Sequence, residues 1–494
     1  MKNIMFLFPD QLRTDFLSCY GADFIDTPNI DSLCHNGVKY ENCITPCPLC
    51  VPARASVLTG RNAFRNGVFD NDCWLRPDHD ACGVYTWPAL LGQAGYHTLA
   101  VGKMHFYPWD ALEGFDERII AEDKRHITVH DDYAKYLEHK GLRKYHINEY
   151  EDFQKTKGAV VSKVSFEDHV DTWVADRTID FIENYTSEKP FAVMVGFPSP
   201  HCPYDPTKEY ADMFDPKDMP DSIPATADSD KFIDKVIEVN KMSWNSIDYS
   251  EFTEEQKKKV RAHYAGLVKQ IDDNIGRIIN AVKEKGIIDD TVFIFAADHG
   301  DMLGDYGFIG KANFYESSVK VPLIIKAPDM RGDRMYNHVV SLLDVTSSIL
   351  RYAGVEPTTQ ADSTELPLLF DNPVKLKDYT ITTTVFFGIK GYMIRTDEWK
   401  LCRYTNDVSM LFNLKEDPKE QINRILDPEC ATIREKLDNI LTREIMEGCQ
   451  DGNKDTFIPD AKYLAIIPRL DPKYNETGWE RPYPFSILSK VFDD

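Results

Sequence analysis

A cysteine and an arginine four residues apart form the first candidate for chemistry, in the segment Cys50-Val51-Pro52-Ala53-Arg54. Pro52 suits the first turn of a helix, because its ring fixes φ and an N–H group there needs no helical partner. Position 50 then lies just before a helix N-terminus, where the backbone field favours an anion. Arg54, one turn later, projects from the same face and can direct its planar guanidinium at that anion. The segment therefore predicts an anion site around Cys50.

Two other interpretations of Cys50 stay open on the residues alone. It could be a buried cysteine that precedes a helix and has no chemical role. It could also pair with Cys47 as a C-x-x-C redox or metal motif. The sequence contains no second C-x-x-C to complete a zinc site, and nothing nearby indicates a thioredoxin-like unit. Cys47 also lacks the proline at +2 and the arginine at +4, so the full pattern selects Cys50.

Acidic residues follow two apolar runs that predict buried parallel strands. Asp10 comes shortly after Asn3–Phe8, and the pair Asp298-His299 follows Val292–Ala297. In open α/β sheets, ligands bind at the carboxyl ends of the strands. Carboxylate oxygens with few sulfur or histidine ligands suit a hard cation, so Ca²⁺ or Mg²⁺ is favoured over Zn²⁺. The alternative is that these polar residues only end their strands.

Basic residues follow two further predicted strands. Lys103 and His105 come after His97–Val101 and a glycine, and His201 comes after Phe191–Gly196 among several prolines. A lysine at the end of a buried strand can meet an oxyanion, and the prolines beside His201 suit a proton donor held in one place. The alternatives are a solvated lysine and an ordinary loop histidine.

Several segments in the order of the chain resemble the motifs of type I sulfatases. Position 50 to 54 is similar to their C-x-P-x-R element and continues with L-T-G-R, although the commoner family form has Ser at position 53. The other similar segments are T-P-N-x-D-x-L at 27–33, G-K-x-H at 102–105, P-H-x-P at 200–203, G-x-x-G-K at 307–311, Tyr315-Glu316 and V-P-L-I at 321–324. The resemblance covers residues 3 to about 420. It implies an alkaline-phosphatase-like α/β fold, with a large mixed sheet sandwiched by helices and a smaller C-terminal α+β domain.

The resemblance also implies a set of site residues and cofactors. A sulfatase-maturing enzyme would oxidise Cys50 to formylglycine, and a divalent cation, Ca²⁺ with Mg²⁺ or Mn²⁺ as alternatives, would be bound by Asp10, Gln11, Asp298 and His299. Gln11 stands where the family usually has a second aspartate, so a neutral amide oxygen replaces one carboxylate. The implied catalytic residues are Cys50, Arg54, Lys103, His105, His201 and Lys311. Asn71 would bind the substrate, although an asparagine at such a place more often caps a turn.

The implied activity is hydrolysis of a sulfate monoester, with an aryl, steroid or carbohydrate group. The alternative in the same superfamily is a phosphonate monoester hydrolase or phosphodiesterase. A third class is a non-catalytic binding or redox protein in which Cys50 stays a thiol. The implied substrate is a small molecule or a glycan.

Composition limits the partners and the compartment. The chain has 494 residues and a formal net charge of −23, which argues against nucleic acid or an anionic membrane as a partner. The eleven cysteines are scattered, and no signal peptide or membrane span is evident. We therefore expect a cytoplasmic protein with reduced thiols.

The length predicts more than one domain. We expect a catalytic α/β domain over 1–360, an antiparallel sheet with a helix over 361–456, and an irregular tail over 457–494. The tail is rich in aromatic residues and prolines. We expect it either to pack on a neighbouring subunit of a homo-oligomer or to wrap its own main domain.

Overall fold

Short strands alternate with helices along most of the chain. The computed structural model describes residues 2–80, 82–242, 245–358, 361–371, 377–386 and 388–451. The strands in these ranges are β1 (Asn3–Leu7), β2 (Val38–Ile44), β3 (His97–Gly102), β4 (Glu117–Ile120), β5 (Phe191–Gly196), β6 (Thr291–Ala296), β7 (Lys320–Val321), β8 (Leu323–Lys326), β9 (Arg334–Ser341), β10 (Thr380–Phe386), β11 (Ile389–Arg395), β12 (Trp399–Tyr404) and β13 (Ser409–Asn413).

The helices range from single turns to one of 31 residues. In chain order they are α1 (Pro28–Cys34), α2 (Cys50–Thr59), α3 (Ala63–Asn66), α4 (Trp87–Gln93), α5 (Asp132–His139), α6 (Val170–Asn184), α7 (Lys208–Ala211), α8 (Asp230–Asn240), α9 (Glu254–Glu284), α10 (Glu316–Val319), α11 (Asp344–Tyr352) and α12 (Ala431–Asp451). In the part of the chain that the structure describes, no helix is both long and apolar enough to cross a membrane.

The large sheet has the strand order β4-β3-β5-β1-β6-β8-β2-β7, with β9 paired to β2 outside this path. Neighbouring strands from β4 to β6 are parallel, whereas β8 is antiparallel to both β6 and β2. Residues Ile4 to Leu7 of β1 have no solvent exposure, because strands and helices cover both faces of the sheet. The predicted α/β fold with a large mixed sheet is confirmed.

The register of the parallel strands brings their carboxyl ends to one edge. Leu7 pairs with Val195 of β5 and with Phe295 of β6, and Val195 pairs in turn with Val101 of β3. The segments that follow these strands therefore emerge side by side. This edge is where every predicted strand-end residue lies.

Two facing glycines allow β3 and β5 to approach each other at that edge. A Cβ atom built on Gly102 would lie 2.2 Å from the carbonyl oxygen of Gly196, and Gly102 has a φ of +90°. A Cβ atom on Gly196 would in turn lie 2.1 Å from the carbonyl oxygen of Lys103. Neither position accommodates a larger residue, so the backbone around Lys103 is held against β5.

The longest helix, α9, supports the sheet from one side. It begins with a capping box in which Thr253 and Gln256 bond each other's backbone. Its buried apolar face, which includes Ile271, Ile275 and Ile278, packs with α6.

The C-terminal sheet has the order β10-β11-β12-β13 and is antiparallel throughout. Helix α12 packs on β11 and β12 and continues to residue 451. Strand β10 contacts the large sheet's loops, since Thr383 N donates to Pro46 O at 3.0 Å and Thr384 Oγ1 donates to Ala312 O at 2.9 Å. The small sheet therefore supports the segments just before Cys50 and just after Lys311.

Some predicted features have a different outcome. The structure adds β2, β4 and α8, which the sequence patterns did not indicate. The predicted boundaries near residues 360 and 456 stay predictions. The tail over 457–494 lies outside the described residues, so its packing also stays a prediction.

Candidate active site

Cys50 lies at the N-terminus of helix α2. Cys50 is the first residue of the helix, and Leu49 is the N-cap, so the helix starts slightly earlier than Pro52 indicated. The first turn closes where Ala53 N donates to Leu49 O at 2.9 Å. Asn71 accepts a hydrogen bond from Val51 N through Oδ1 at 3.1 Å, which satisfies one of the free N–H groups at the helix end. The Cys50 side chain thus lies in the positive field of the helix.

Cationic and histidine side chains surround the Cys50 sulfur. Lys311 Nζ lies 3.0 Å from Sγ and His299 Nε2 lies 3.3 Å from it. Burial alone would raise the pKa of the Cys50 thiol, but Lys311, Lys103 and His299 lower it well below its usual value. The surroundings therefore favour a negative charge at position 50.

Arg54 is buried and pairs with a carboxylate of the site. Its Nε donates to Asp298 Oδ2 at 2.9 Å, and its Nη1 donates to Lys103 O at 2.7 Å. The guanidinium also lies over the ring of Phe8, with Cζ 4.9 Å from the ring centroid. Arg54 thus connects the segment after β3 to the segment after β6.

The predicted metal ligands converge beside Cys50. The candidate ligand atoms of Asp10, Asp298 and His299 lie within 4.8 Å of one another and of the Cys50 sulfur, and all four residues are buried. Burial and the neighbouring Asp10 carboxylate raise the pKa of Asp298, because two like charges meet in a region away from water. A cation relieves that repulsion, and carboxylate oxygens with one imidazole suit a hard divalent ion.

Gln11, the fourth predicted metal ligand, has a strained backbone conformation. It has a φ of 67°, in the left-handed region that a residue with a side chain rarely adopts. Its backbone N donates to Asp298 Oδ1 at 2.9 Å, and its Oε1 accepts from Lys311 Nζ at 2.6 Å. The amide oxygen therefore faces the same region as the carboxylates, and the four predicted ligands fit a divalent ion.

Lys103 lies between two buried carboxylates. Its Nζ forms a very short contact with Asp10 Oδ2 and donates to Asp123 Oδ2 at 2.8 Å. Burial would lower the pKa of Lys103, but the two carboxylates raise it well above its usual value. The lysine is therefore held as an ammonium ion beside the candidate metal ligands.

Asp123 also organises the neighbourhood of His201. It binds Arg125 through both carboxylate oxygens, at 2.9 Å from Nε and 2.9 Å from Nη2. Arg125 Nη2 in turn lies 3.3 Å from His201 Nε2. Sequence analysis missed Asp123 and Arg125, because they follow β4, a short strand with no apolar run to mark it.

His201 is neutral in this arrangement. Its Nδ1 lies 2.8 Å from Cys202 O and carries the proton, which leaves Nε2 as an acceptor facing Arg125. Burial, Lys311 and Arg125 lower its pKa to about 3. The role of His201 in proton transfer stays a prediction.

His105 has a second strained backbone, with a φ of 61°. Its N–H donates to the Glu122 carboxylate at 3.1 Å, which holds that conformation. Its ring nitrogen Nδ1 is buried and has no hydrogen-bond partner among the described residues.

A cavity of about 660 Å³ opens over these groups. Its lining includes Gln11, Asn71, His105, His201 and Lys311. Trp74, Trp109 and His126 line one side, and Tyr107 packs against both tryptophans; these four residues are called the aromatic wall. No sequence motif includes these residues, because they lie in irregular loops that follow motif residues such as His105.

The family model for sulfatases matches residues 2–355, which include every residue of this site. The chain belongs to the sulfatase family. A second family model, for the C-terminal part of N-sulphoglucosamine sulphohydrolase, matches residues 304–447. The protein is therefore a sulfuric ester hydrolase of the alkaline phosphatase superfamily, as the motifs predicted.

Two curated relatives extend over most of this sulfatase. It is 30% identical to an arylsulfatase of Clostridium perfringens, over 92% of this chain and 96% of the relative. It is 28% identical to a choline-sulfatase of Rhizobium meliloti, over 86% of this chain and 83% of the relative. Among solved structures, it resembles a phosphonate monoester hydrolase of Agrobacterium radiobacter with a TM-score of 0.77, 22% identity and coverage of 91% and 96%. The last similarity confirms the fold only.

The sulfatase thus brings all the predicted site residues into one region, and their individual roles stay predictions. Around Cys50 and the cavity the structure places Asp10, Gln11, Arg54, Asn71, Lys103, His105, His201, Asp298, His299 and Lys311.

Proposed function

We propose that this sulfatase hydrolyses a sulfate monoester with formylglycine at position 50 and a bound divalent cation. The observation that carries the proposal is the set of positive groups around the Cys50 sulfur at the N-terminus of α2. A sulfatase-maturing enzyme would supply the oxidant that converts the Cβ of Cys50 to an aldehyde, with loss of the sulfur. One hydroxyl of the hydrated aldehyde would attack the sulfur atom of the sulfate ester. The second hydroxyl would then expel sulfate.

The cation would be held by Asp10, Gln11, Asp298 and His299, with Ca²⁺ preferred for this donor set. When bound, it lowers the cost of ionising a hydroxyl and polarises sulfate oxygens. His299 Nδ1 lies 3.0 Å from Gly300 O and donates to it, which directs Nε2 toward Cys50 and Asp10. The hydrogen bond to Gly300 O thus holds the imidazole ring in the orientation that a metal ligand needs.

Three cations of the chain would stabilise charge on the nucleophile and on the transferring SO₃ group. Lys311 is the most available, since its ammonium contacts Gln11 Oε1 and the Cys50 sulfur but no carboxylate among the described residues. Lys103 and Arg54 already bind carboxylates of the site, so they set its geometry as well as its charge. Such preorganised groups act most strongly on charge that develops during the reaction.

Proton transfers would use Lys311, His105 and His201. Lys311 would donate a proton to the leaving oxygen, and His201 would assist as a hydrogen-bonding partner at that oxygen. His105, which lines the same cavity, would take the proton of the second hydroxyl when sulfate leaves. Asn71, held on Val51 N, would orient the substrate at the mouth of this region.

Asp123 would act as a positioning residue, because it contacts no reacting atom. It fixes the ammonium of Lys103 and the guanidinium of Arg125 on one carboxylate. Without it, both cations would be free to rearrange beside His201. Its role therefore predicts an effect on turnover larger than an effect on folding.

The alcohol portion of the substrate remains to be assigned among aryl, steroid and carbohydrate groups. The relatives carry names for different sulfates, and specificity resides in loops that differ between members of one fold. A phosphonate or phosphodiester substrate is supported by similarity of fold alone.

Mass spectrometry of the Cys50 peptide, together with turnover measurements, tests the proposal. We expect the peptide mass to correspond to the aldehyde, and p-nitrophenyl sulfate to be hydrolysed faster than a p-nitrophenyl phosphodiester or phosphonate. A peptide that carries an intact thiol in fully active protein would exclude the formylglycine. Faster turnover of the phosphorus esters would favour the alternative reaction.

A further inference from the structure

Two carboxylates border the cavity beside the nucleophile. Asp70 and Asp72 flank Asn71, whose side chain is bound to Val51 N, one residue from Cys50. Both carboxylate residues line the cavity, with Asp70 half-buried and Asp72 exposed. Adjacent Cα atoms are about 3.8 Å apart, so both aspartates are tethered within a few ångströms of the helix N-terminus.

These two carboxylates have no cationic partner among the described residues. Asp70 accepts only the backbone N–H of Asn71 at 2.7 Å. Burial and the neighbouring Asp72 raise the pKa of Asp70, as expected for carboxylates without a nearby cation. Half-buried charges usually have a partner of opposite sign, so this pair leaves a charge uncompensated.

The remaining cations that line the cavity are compensated by other acids. Arg125 is bound by Asp123, and Lys235 pairs with Glu238 at 2.9 Å. The cavity therefore has a positive floor around Lys311, where sulfate would bind, and a negative margin at Asp70 and Asp72. An ester whose only charge is its sulfate group would be attracted to the positive floor of the cavity. The same ester would be repelled by the carboxylates of the negative margin.

One member of the aromatic wall, Trp74, lies on the same stretch of chain as this negative margin. Trp74 follows Asp72 by two residues, and its ring centroid is 4.7 Å from that of Tyr107. Trp109 continues the wall, at 6.0 Å from Tyr107 and 5.2 Å from His126. Aromatic faces beside carboxylates form the environment that binds ammonium groups in proteins.

A buried nitrogen without a hydrogen-bond partner in the described part of the chain lies beside the same wall. His105 is 7% exposed, lines the cavity and lies parallel to Trp109 at 6.4 Å between ring centroids. Its Nδ1 is buried and has no hydrogen-bond partner among the described residues. The wall thus offers electron-rich groups to a ligand from several directions.

We propose that the leaving alcohol of the substrate carries a cationic amine, bound by Asp70, Asp72 and the aromatic wall while the sulfate occupies the floor. This inference rests on the proposed sulfatase function and names its substrate class. A neutral aryl or sugar ring can also stack on Trp74 and Trp109. Such a ring leaves the two carboxylates uncompensated, whereas an ammonium group neutralises them and removes the repulsion of the ester.

A pair of isosteric esters tests this directly. Choline O-sulfate carries a trimethylammonium group, and its neutral carbon isostere carries a tert-butyl group of nearly the same shape. We expect kcat/KM of the active, aldehyde-bearing enzyme to be at least about tenfold higher for the cationic ester, with most of the difference in KM. Each ester is also tested as an inhibitor of p-nitrophenyl sulfate hydrolysis, which reports binding even without turnover.

Variants locate the preference within the cavity. The double variant Asp70→Asn/Asp72→Asn should bring the ratio of the two esters close to one, and Trp74→Ala should reduce it. The matched control is Glu435→Gln, which changes charge at an exposed position on α12 and should leave the ratio as in the unmodified protein. The ratio is the readout, so a general loss of activity does not imitate the expected result.

The outcomes separate this inference from the function on which it rests. Hydrolysis of p-nitrophenyl sulfate with equal kinetics and equal inhibition for the two esters would overturn the cationic substrate and leave the sulfatase intact. An unchanged ratio in the double variant would overturn the role of the two aspartates. Failure of aldehyde-bearing protein to hydrolyse any sulfate ester would instead contradict the proposed function.

Discussion

Two buried groups of charged side chains among the described residues differ in how their charges are compensated. The first surrounds Cys50, and the second lies where the C-terminal sheet meets α10. In the second, Lys400 Nζ pairs with Glu316 at 2.9 Å and with Glu420 at 2.5 Å, and Arg395 pairs with Glu316 at 3.3 Å. Two cations thus face two carboxylates, and none of these residues lines the cavity.

Around Cys50, some charged side chains have no partner of opposite charge in the described part of the chain. Lys311 has no carboxylate partner among the described residues, and Asp10 and Asp298 are forced together. The comparison shows that burial and ion pairing alone do not identify a reactive site. What distinguishes the first group is excess charge of both signs beside a cavity, which a substrate and a metal can compensate.

The largest expected effect comes from position 50 itself. Cys50→Ala should lower kcat by more than about a thousandfold, because its methyl side chain cannot be oxidised to the aldehyde as the thiol is, and it should leave the unfolding transition nearly unchanged. Steady-state hydrolysis of p-nitrophenyl sulfate measures this, with Cys449→Ser at an exposed cysteine as the control. Full activity in Cys50→Ala would refute the whole mechanism.

Removal of the metal should have a similar effect. Asp298→Ala should abolish bound metal and lower turnover by about a hundredfold or more, because a hard-cation site loses one of its two carboxylates. Elemental analysis and the rate of the same ester are the measurements. Undiminished activity after exhaustive chelation, with no metal detected, would contradict the cation requirement.

A matched pair of lysine variants sharpens the comparison between the two charged groups. Lys311→Met should lower kcat/KM by about a hundredfold with little change in stability, since Lys311 has no carboxylate partner to lose. Lys400→Met should instead lower the free energy of unfolding by about 3–5 kcal/mol, because it leaves Glu316 and Glu420 buried without a cation. Urea unfolding and activity per folded molecule separate the two. A loss of stability in Lys311→Met, together with a loss of activity in Lys400→Met, would contradict the distinction between the two charged groups.

Asp123→Asn should have an intermediate effect. We expect kcat to fall by about tenfold or more with a smaller change in KM, because Lys103 and Arg125 lose a shared carboxylate but keep their places in the chain. The control is Asp272→Asn, a buried aspartate of α9 paired with Lys269. A loss of stability without a change in kcat for Asp123→Asn would assign it a purely structural role.

The smallest expected effect is a pH dependence of stability that arises in the second charged group, where the C-terminal sheet meets α10. Burial, with Glu316 adding and Lys400 opposing, raises the pKa of Glu420 from 4.5 to about 7. The folded protein therefore binds this proton more tightly than the unfolded chain. The resulting stabilisation is complete below about pH 4.5 and is lost as the pH rises through about 7.

Glu420→Gln should remove this dependence. Relative to the variant, the unmodified protein should lose roughly 1–3 kcal/mol of unfolding free energy between about pH 4.5 and pH 8. Urea titrations across that range measure the difference, with Glu429→Gln at an exposed position as the control. Parallel pH curves for the two proteins would contradict a raised pKa.

Much of the catalytic region could be predicted from the sequence. Asp10, Lys103, His201 and Asp298 each follow an apolar run that forms a strand, and parallel strands present their carboxyl ends together. The motifs around Cys50 are local, so the resemblance to sulfatases could be read residue by residue. The fold and the family follow from these short-range patterns.

The partners of those residues were decided by the tertiary structure. Asp123 meets Lys103, and Arg54 pairs with Asp298, across long stretches of sequence that carry no periodic pattern. The same holds for the uncompensated charge of Asp70 and for the aromatic wall. A sequence shows which side chains can carry charge, whereas the compensation of that charge depends on distances that only the packed loops determine.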